Sequence, residues 1–248
     1  MSPWVAPRIL YIFDRLVSES RCFYNAYPVT RISSMQPYFL PYAGYFRLMC
    51  DVDAFVISAG VQFPSRGWVN RNFLRDDLGR PAWFTLPLAP RPTKTAIVDL
   101  RYAQEAELIL RKNAQRFAAC RAPVEHTVRI VRRALETGGA PLATIETLLR
   151  ETADTLNIRA PFVIDSELNL PPGIRGVERI YAICAALGAD AYVNAPGGRS
   201  LYNAAEFAKR GVTLTFLPDY RGDFLSILQR LHDQRPSEIT AEIRANLE

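Results

Sequence analysis

The sequence predicts an α/β fold in which a mainly parallel, Rossmann-like sheet is covered by helices. Short apolar runs typical of strands alternate along the chain with stretches typical of helices. Several of these runs are rich in β-branched residues, as buried strands are. Residues 103–156 repeat apolar residues near a 3.6-residue period, which predicts a helical insertion. With 248 residues, 49% of them apolar, the chain is long enough for one functional unit with a substantial core.

The first hundred residues are expected to form short elements around one shaped loop. Two prolines and a glycine shape residues 36–46, polar side chains mix with aromatics and turn formers in 61–72, and residues 81–92 contain several prolines. We predict a strand over 31–34, a loop over 36–46, a helix over 45–50, a strand over 53–58, a binding loop or hairpin over 61–72, an edge strand or extended connection over 81–92, and a strand over 97–100.

The rest of the chain predicts alternating helices and strands. We expect three helices within 103–156, a strand over 162–164, a helix over 177–187, a strand over 191–193, a helix over 204–210, a strand over 212–217 and a helix over 224–232. Residues 31–235 then form the α/β domain, residues 1–30 an N-terminal extension and residues 236–248 a C-terminal tail.

The charge is concentrated in the first half of the chain. Residues 1–124 hold 16 basic and 9 acidic side chains, although the whole chain has a net charge of only +5. Arginine outnumbers lysine 27 to 3, and its planar fork suits bidentate contacts with phosphate or carboxylate. An anionic or activated small-molecule substrate and plain solvation both explain this surplus. No run of five basic residues is present, so nucleic acid is not an expected partner.

Cysteine and histidine usage argues against several classes of site. The four cysteines are scattered without a C-x-x-C pair, and only His126 and His232 are present. We therefore expect reduced thiols and no metal site, a Ser-His-Asp triad has few ways to be built, and no cofactor is identified. No apolar run suits a membrane span or a signal peptide, which makes a cytoplasmic location the default expectation. A homodimer and a monomer both stay open.

Several ordered motifs resemble those of the WbqC-like family. They are residues 35–46, 53–56, 62–63, 67–72, 166–168, 179, 183–184, 187–190, 192, 197–202 and 225–228. The resemblance covers residues 31–235, although Ser33 and Ser34 stand where the family has an apolar strand. It implies a bacterial protein from clusters for surface polysaccharides or specialised metabolites, with aminoacyl or acyl transfer to amino sugars as a suggested reaction.

The loop over residues 36–46 is the first candidate for a ligand site. Tyr42-Ala43-Gly44-Tyr45 has the spacing of the H-x-G-H signature of nucleotidyltransferases, with tyrosine in place of both histidines. A glycine there would allow close backbone approach to a ligand, and a neutral phenol could donate a hydrogen bond to it. We predict roles for Gln36 and Tyr45 in catalysis and for Tyr38 and Tyr42 in binding. A stiffened loop that packs the sheet edge is the structural alternative.

The second candidate follows an aromatic residue with several donors. We predict substrate contacts from Gln62, Trp68, Asn70, Arg71 and Asn72, a set suited to a sugar or nucleotide that carries a charged group. Arg71 is the expected anion ligand. A surface hairpin whose asparagines form turns is the alternative.

Other candidates lie after later strands. Gly197, Gly198 and Arg199 precede Ser200, the expected helix cap, and with Tyr202 they predict a binding loop or simply a capped turn. Ser166 follows an apolar strand and is assigned to binding, with helix capping as its alternative. Asp53 could accept a proton from an amine, although such a residue more often starts a strand.

These observations favour a transferase that acts on an activated anionic small molecule. Aminoacyl or acyl transfer onto an amino group is the first reaction class, and nucleotidyl transfer is the second. A noncatalytic protein that binds a sugar nucleotide or carrier within a biosynthetic complex is the rival. One pocket holding Gln36, Tyr45, Arg71 and Arg199 would favour an enzyme, whereas an exposed apolar patch would favour the rival.

Overall fold

The computed structural model describes residues 30–247. The predicted N-terminal extension, apart from Thr30, and Cys22 lie outside them. The strands of the described part are β1 (Arg31–Met35), β2 (Ala54–Ile57), β3 (Arg71–Arg75), β4 (Pro81–Thr85), β5 (Phe162–Ile164), β6 (Ala191–Asn194) and β7 (Thr213–Phe216). Five of them form a parallel sheet in the order β5-β2-β1-β6-β7. The predicted α/β class with a mainly parallel sheet is confirmed.

The strand order reverses between β1 and β6. The chain moves outward from β1 through β2 to β5 on one side, and then through β6 to β7 on the other. Ile32 pairs with Tyr192 and Ser33 with Val193 across this junction. In doubly wound sheets, ligands bind in the crevice that such a reversal leaves at the carboxyl ends of the strands.

Alternating side chains supply a core on each face of the sheet. Ala54 and Val56 of β2 belong to one buried cluster, and Phe55 and Ile57 belong to the other. Successive strand residues point to opposite faces, so a continuous apolar run such as β2 requires cover on both sides. Helix α5 (Gly176–Leu187) supplies Ile183 to the first cluster.

Residues 103–156 are largely helical, as the periodicity predicted, but they form four helices rather than three. These are α1 (Ala106–Ala114), α2 (Ala118–Arg121), α3 (Val128–Ala134) and α4 (Pro141–Thr155). The unpredicted break falls near Phe117, whose extended backbone separates α1 from α2. Buried residues of these helices, such as Leu110 and Leu149, join the larger core cluster.

One local prediction is corrected, and one alternative that the sequence left open is decided. Residues 97–100 form a 3₁₀ helix, Ile97–Asp99, instead of a strand. Of the binding loop or hairpin predicted over 61–72, residues 61–70 form a loop, and a hairpin starts at Arg71, where β3 pairs antiparallel with β4. β-branched residues in a short apolar run suit either a strand or a buried turn, and only tertiary packing decides between them.

The C-terminal residues are not a tail. After α6 (Ala204–Ala208) and α7 (Ile227–Asp233), Pro236–Ala245 forms α8. Ile239 and Ile243 of α8 are fully buried in the larger core. Proline at the first position suits a helix start, and the two isoleucines four residues apart lie on one face.

Candidate functional site

A cavity of about 370 Å³ lies at the carboxyl ends of β1 and β6, where the strand order reverses. It is lined by Met35, Tyr38, Tyr42, Gly44, Tyr45, Arg47, Leu48, Trp68, Asn72, Ala195, Pro196, Gly197, Leu217 and Phe224. Its volume lies within the range of small-molecule sites. The cavity therefore has the position and size expected for a ligand site of a doubly wound fold.

Aromatic side chains form much of the cavity wall. The Tyr42 ring lies 5.0 Å from that of Phe224 and 5.3 Å from that of Tyr220, centroid to centroid. Trp68 is 37% and Phe224 59% exposed. Because both are large apolar side chains that also reach solvent, they suit a flat part of a ligand such as a sugar face or a ring.

Buried side chains and a hydrogen bond hold the loop after β1 in place. It leads into a 3₁₀ helix, Ala43–Met49, all of whose residues are buried. The Tyr45 hydroxyl donates a 2.9 Å hydrogen bond to the Gln36 carbonyl oxygen. Burial raises the pKa of Tyr45 well above its usual value, so the phenol stays neutral. The Gln36 backbone and the Tyr45 phenol thus share a contact that shapes the loop, and the catalytic roles of the two residues stay a prediction.

Gly44 serves packing of the aromatic wall. A Cβ at Gly44 would lie 2.6 Å from Cγ of Tyr220 and would also overlap the Tyr42 ring. Only glycine leaves room for both rings. The sequence predicted close approach of a ligand at this position, whereas the observed close approach is made by protein side chains.

The remaining tyrosines of the cavity are neutral hydrogen-bonding groups. Burial raises the pKa of both Tyr38 and Tyr42. Because a phenol with a raised pKa does not ionise near neutral pH, it can donate a hydrogen bond but not act as a base.

Arg47 is the cation of this cavity, and the sequence analysis missed it. Its Nη1 donates to the carbonyl oxygens of Pro218 and Asn246 at 2.9 and 2.7 Å, and its Nε donates to Gly44 at 3.3 Å. Burial lowers the pKa of Arg47, yet arginine remains charged in proteins. A polar residue inside an otherwise apolar 3₁₀ segment is the signal that could have identified it.

The fold brings only some of the residues predicted to bind substrate near the hairpin to the cavity. Trp68 and Asn72 line the cavity, and the Asn72 Nδ2 donates to the carbonyl oxygens of Phe39 and Leu40. Asn72 therefore anchors the loop after β1 to β3 and is 2% exposed.

Three other members of that predicted set point elsewhere. The Asn70 Nδ2 donates to Leu86, and the exposed Gln62 donates to Thr93. Arg71 donates to the Gly67 carbonyl and lies 4.3 Å above the Trp83 ring. None of the three lines the cavity.

Of the residues predicted to bind substrate in the loop after β6, only the first glycine reaches the cavity, beside Ala195 and Pro196. Gly197 lines the cavity, whereas Gly198 packs against the Asn194 side chain. Arg199 donates to the Leu217 carbonyl at 3.1 Å and approaches Asp219 at 3.7 Å.

The helix that follows this loop is capped by a different residue from the one expected. Asn203, not Ser200, caps α6 by accepting a hydrogen bond from the Ala205 backbone N–H. Tyr202 packs edge-on against Tyr192, with ring centroids 6.1 Å apart, and does not line the cavity.

Asp53 and Ser166 are both separated from the cavity. Asp53 precedes β2 and accepts hydrogen bonds from Thr30 and the Arg31 backbone N–H, at the amino-terminal edge of the sheet. The cavity lies at the opposite edge. Ser166 is exposed within a short 3₁₀ turn, Asp165–Glu167.

The neighbour of Ser166 is the more constrained residue. Asp165 is fully buried and accepts hydrogen bonds from the backbone N–H groups of Ala59 and Gly60, each at 2.8 Å. Its second oxygen accepts from Arg179 Nε at 2.8 Å. This ion pair joins the ends of β2 and β5 to α5.

The thiols and imidazoles of the described residues lie outside this cavity. Burial raises the pKa of Cys50 and Cys184 to about 11 and that of Cys120 to about 12. Such thiols stay protonated near pH 7, and the thiolate is the reactive form. Within residues 30–247, no group of three or more His, Cys, Asp or Glu side chains is arranged to hold a metal ion.

Comparisons with other proteins identify the family of this chain. A model of the WbqC-like protein family matches residues 36–223. The chain belongs to the WbqC-like protein family. The matched span includes the loop after β1, the Trp68–Asn72 region and the loop after β6, so most of the cavity wall lies in the part shared with the WbqC-like family.

One relative extends this comparison. The uncharacterized protein Rv1507c of Mycobacterium tuberculosis (strain ATCC 25618 / H37Rv) is 25% identical over 199 residues, covering 77% of this chain and 83% of the relative. No solved structure matches the chain. Among the described residues, no helix is both long and apolar enough to cross a membrane.

Proposed function

We propose that this WbqC-like protein is a bacterial small-molecule transferase that moves an aminoacyl or acyl group from an activated donor onto an amino group. Its setting would be surface-polysaccharide or specialised-metabolite biosynthesis. The observation that carries the proposal is the 370 Å³ cavity at the β1–β6 reversal, with its aromatic wall and few polar groups. This combination is the usual form of a specific small-molecule site.

The chemistry of the lining suits an already activated donor. An amine attacks the donor carbonyl, a new C–N bond forms, the bond to the leaving group breaks and the amine proton leaves with that group or to solvent. Neutral phenols of Tyr38 and Tyr42 can donate hydrogen bonds to the carbonyl oxygen as negative charge develops on it. In this scheme the protein acts mainly by positioning the reactants.

A noncatalytic binding protein is the second candidate, and two specific observations favour it. Of Gln36, Tyr45, Arg71 and Arg199, only Tyr45 lines the cavity. In addition, Phe224 exposes 59% of its surface at the cavity wall. An exposed aromatic next to a cavity also suits a protein that holds a sugar nucleotide or a carrier for a partner enzyme.

Ligand-induced stabilisation provides the first test. The chain is heated with nucleotides, sugar nucleotides, coenzyme A thioesters and nonhydrolysable aminoacyl analogues. A ligand present at about 100 times its Kd stabilises the native state by about 2.7 kcal/mol. We expect stabilisation by at least one activated donor, reduced in Trp68→Ala and retained in Leu78→Ala, whose side chain is exposed away from the cavity lining.

A transfer assay separates the two candidates. Donors that stabilise the protein are incubated with amino sugars, and mass spectrometry detects the amide product. Amide formation that depends on the protein and is reduced in Trp68→Ala supports the transferase. Donors that bind but never yield an amide support the binding protein. No stabilisation by any compound of the panel contradicts a small-molecule site in this cavity.

A further inference from the structure

We propose that Arg47 recognises an anionic group, a carboxylate or a phosphate, on the ligand that occupies this cavity. The inference rests on the proposed function in one respect, namely that a small molecule binds between β1 and β6. It adds that this molecule carries a negative charge and that Arg47 binds the charged group. Neither Arg71 nor Arg199, the arginines singled out by their sequence context, has this role.

Arg47 is buried without a salt-bridge partner among the described residues. Its residue surface is only 2% exposed, and it is one of the residues that line the cavity. Within residues 30–247, no carboxylate lies within 4.0 Å of its guanidinium; Asp219 acts on it only from beyond that distance, and the Tyr220 ring centroid lies 5.2 Å from Cζ. A buried cation without a carboxylate at salt-bridge distance is costly, which makes an anion from outside the described chain a natural partner.

The donor arrangement of Arg47 leaves two N–H groups for such an anion. A guanidinium carries five N–H donors, one on Nε and two on each Nη. Nε donates to Gly44, and Nη1 donates to both Pro218 and Asn246. Nη2 makes no hydrogen bond to any residue between 30 and 247. The three carbonyl contacts fix the plane of the guanidinium, so the remaining donors are preorganised.

The arginines predicted to bind the anion are already engaged. Arg71 stacks over Trp83 and donates to Gly67, whereas Arg199 is held by Leu217 and Asp219. Neither lines the cavity. The surrounding wall is aromatic, so the fitting ligand combines an anionic group with a flat neutral part that lies against Tyr38 or Trp68.

Three ring compounds that differ in charge test this assignment. Phenyl phosphate and phenylacetate carry the two candidate anions, and phenylacetamide is the neutral analogue of the second. Isothermal titration should give phenylacetate or phenyl phosphate a Kd about tenfold to a hundredfold lower than that of phenylacetamide, the range expected for a charge-assisted hydrogen bond. The stronger of the two anions indicates whether the natural group is a phosphate or a carboxylate.

Variants then assign the preference to one side chain. Arg47→Met should abolish the preference for the anions while phenylacetamide binding is retained. Arg47→Lys should keep only part of the preference, because an ammonium cannot satisfy three carbonyls and an anion together. Arg111→Met removes one exposed positive charge on α1 and should bind all three compounds like the unchanged protein. Near-UV circular dichroism checks that each variant is folded.

A crystal of the unchanged protein soaked with the tighter anion decides the question even if both Arg47 variants fail to fold. The anionic oxygens should lie within about 3.5 Å of Nη2. An anion located elsewhere, equal affinities for charged and neutral compounds, or no binding of either anion would overturn the assignment to Arg47. The proposed function is judged separately, because a donor that stabilises the protein and occupies the cavity without contacting Arg47 contradicts only this inference.

Discussion

Tyr45 illustrates how a polar side chain inside a motif can be structural at the scale of one residue. Its hydroxyl donates to the Gln36 carbonyl, and its pKa is raised by burial. We therefore expect Tyr45→Phe to lower the free energy of unfolding by about 1 kcal/mol, the value of one hydrogen bond. Urea denaturation measures this loss. Tyr38→Phe is the matched control: it removes a hydroxyl from a half-buried ring of the same cavity and shows what such a loss does to ligand binding.

A loss of stability in Tyr45→Phe with transfer activity retained would support the structural role of the phenol. A large loss of transfer activity in Tyr45→Phe, with donor binding and stability unchanged, would contradict the structural role. Such a result would instead support a catalytic role for the Tyr45 hydroxyl.

Asp165 is the most constrained carboxylate among the residues described. Asp165→Asn keeps an acceptor for Ala59 and Gly60 but removes the charge that faces Arg179. Loss of one partner from a buried pair costs about 3 kcal/mol or more. Asp77→Asn, which breaks an exposed pair with Arg121, should cost less than about 1 kcal/mol. Chemical denaturation measures the free energy of unfolding of both variants. Similar losses would show that the buried pair with Arg179 stabilises the protein no more than an exposed pair does.

At the scale of elements, the 3₁₀ helix Ala43–Met49 shapes the cavity through the space left at Gly44. A methyl group in Gly44→Ala would displace the Tyr220 ring, so we expect a loss of about 1–3 kcal/mol in stability and weaker ligand binding. Gly197→Ala is the matched control, because its Cβ would meet no atom within 4 Å although Gly197 also lines the cavity. Thermal unfolding and donor titration measure the two effects. Equal behaviour of the variants would remove the packing role of Gly44.

Helix α8 is part of the core, although it lies beyond the family match. Ile243 is fully buried, so Ile243→Ala should lower the free energy of unfolding by about 2–5 kcal/mol. Ile109→Ala on α1 removes the same atoms from a side chain that is 39% exposed and should cost less. Guanidinium denaturation compares them. A loss in Ile243→Ala no greater than in Ile109→Ala would indicate that α8 is only loosely attached.

At the scale of the whole molecule, the residue pattern predicted the sheet better than the site. Apolar runs with β-branched residues, together with glycines at the ends of helices, indicated β2, β5 and β6, because burial on both faces of a sheet leaves a strong local pattern. The cavity forms from segments distant in the sequence, such as Trp68, Gly197 and Phe224. Trp68 and Tyr42 were identifiable from local motifs. Arg47 was marked only by its charge inside an apolar segment, and its role depends on the distant carbonyls of Pro218 and Asn246. Phe224 had no local signal, since its role depends on the ring of Tyr42.

Two carboxylates at distant places in the molecule should make stability fall in acid. Burial alone would raise the pKa of Asp53 and of Glu242, but hydrogen bonds outweigh it. These bonds come from Thr30 and Arg31 to Asp53 and from Arg230 to Glu242, and they lower both pKa values. A carboxylate whose pKa is lower in the folded state stabilises it above the unfolded value of about 4. That contribution is lost as the pH falls through the folded pKa.

The measurement is the free energy of unfolding in urea at several pH values between about 6 and 3. We expect a decline below about pH 4.5 that is shallower in Asp53→Asn and in Glu242→Gln. Because the two sites share no partners, their effects should add in the double variant. Glu107→Gln, in an exposed pair on α1, is the control and should retain the decline of the unchanged protein. A double variant whose stability falls as steeply as that of the unchanged protein would refute the assignment of acid sensitivity to these two carboxylates.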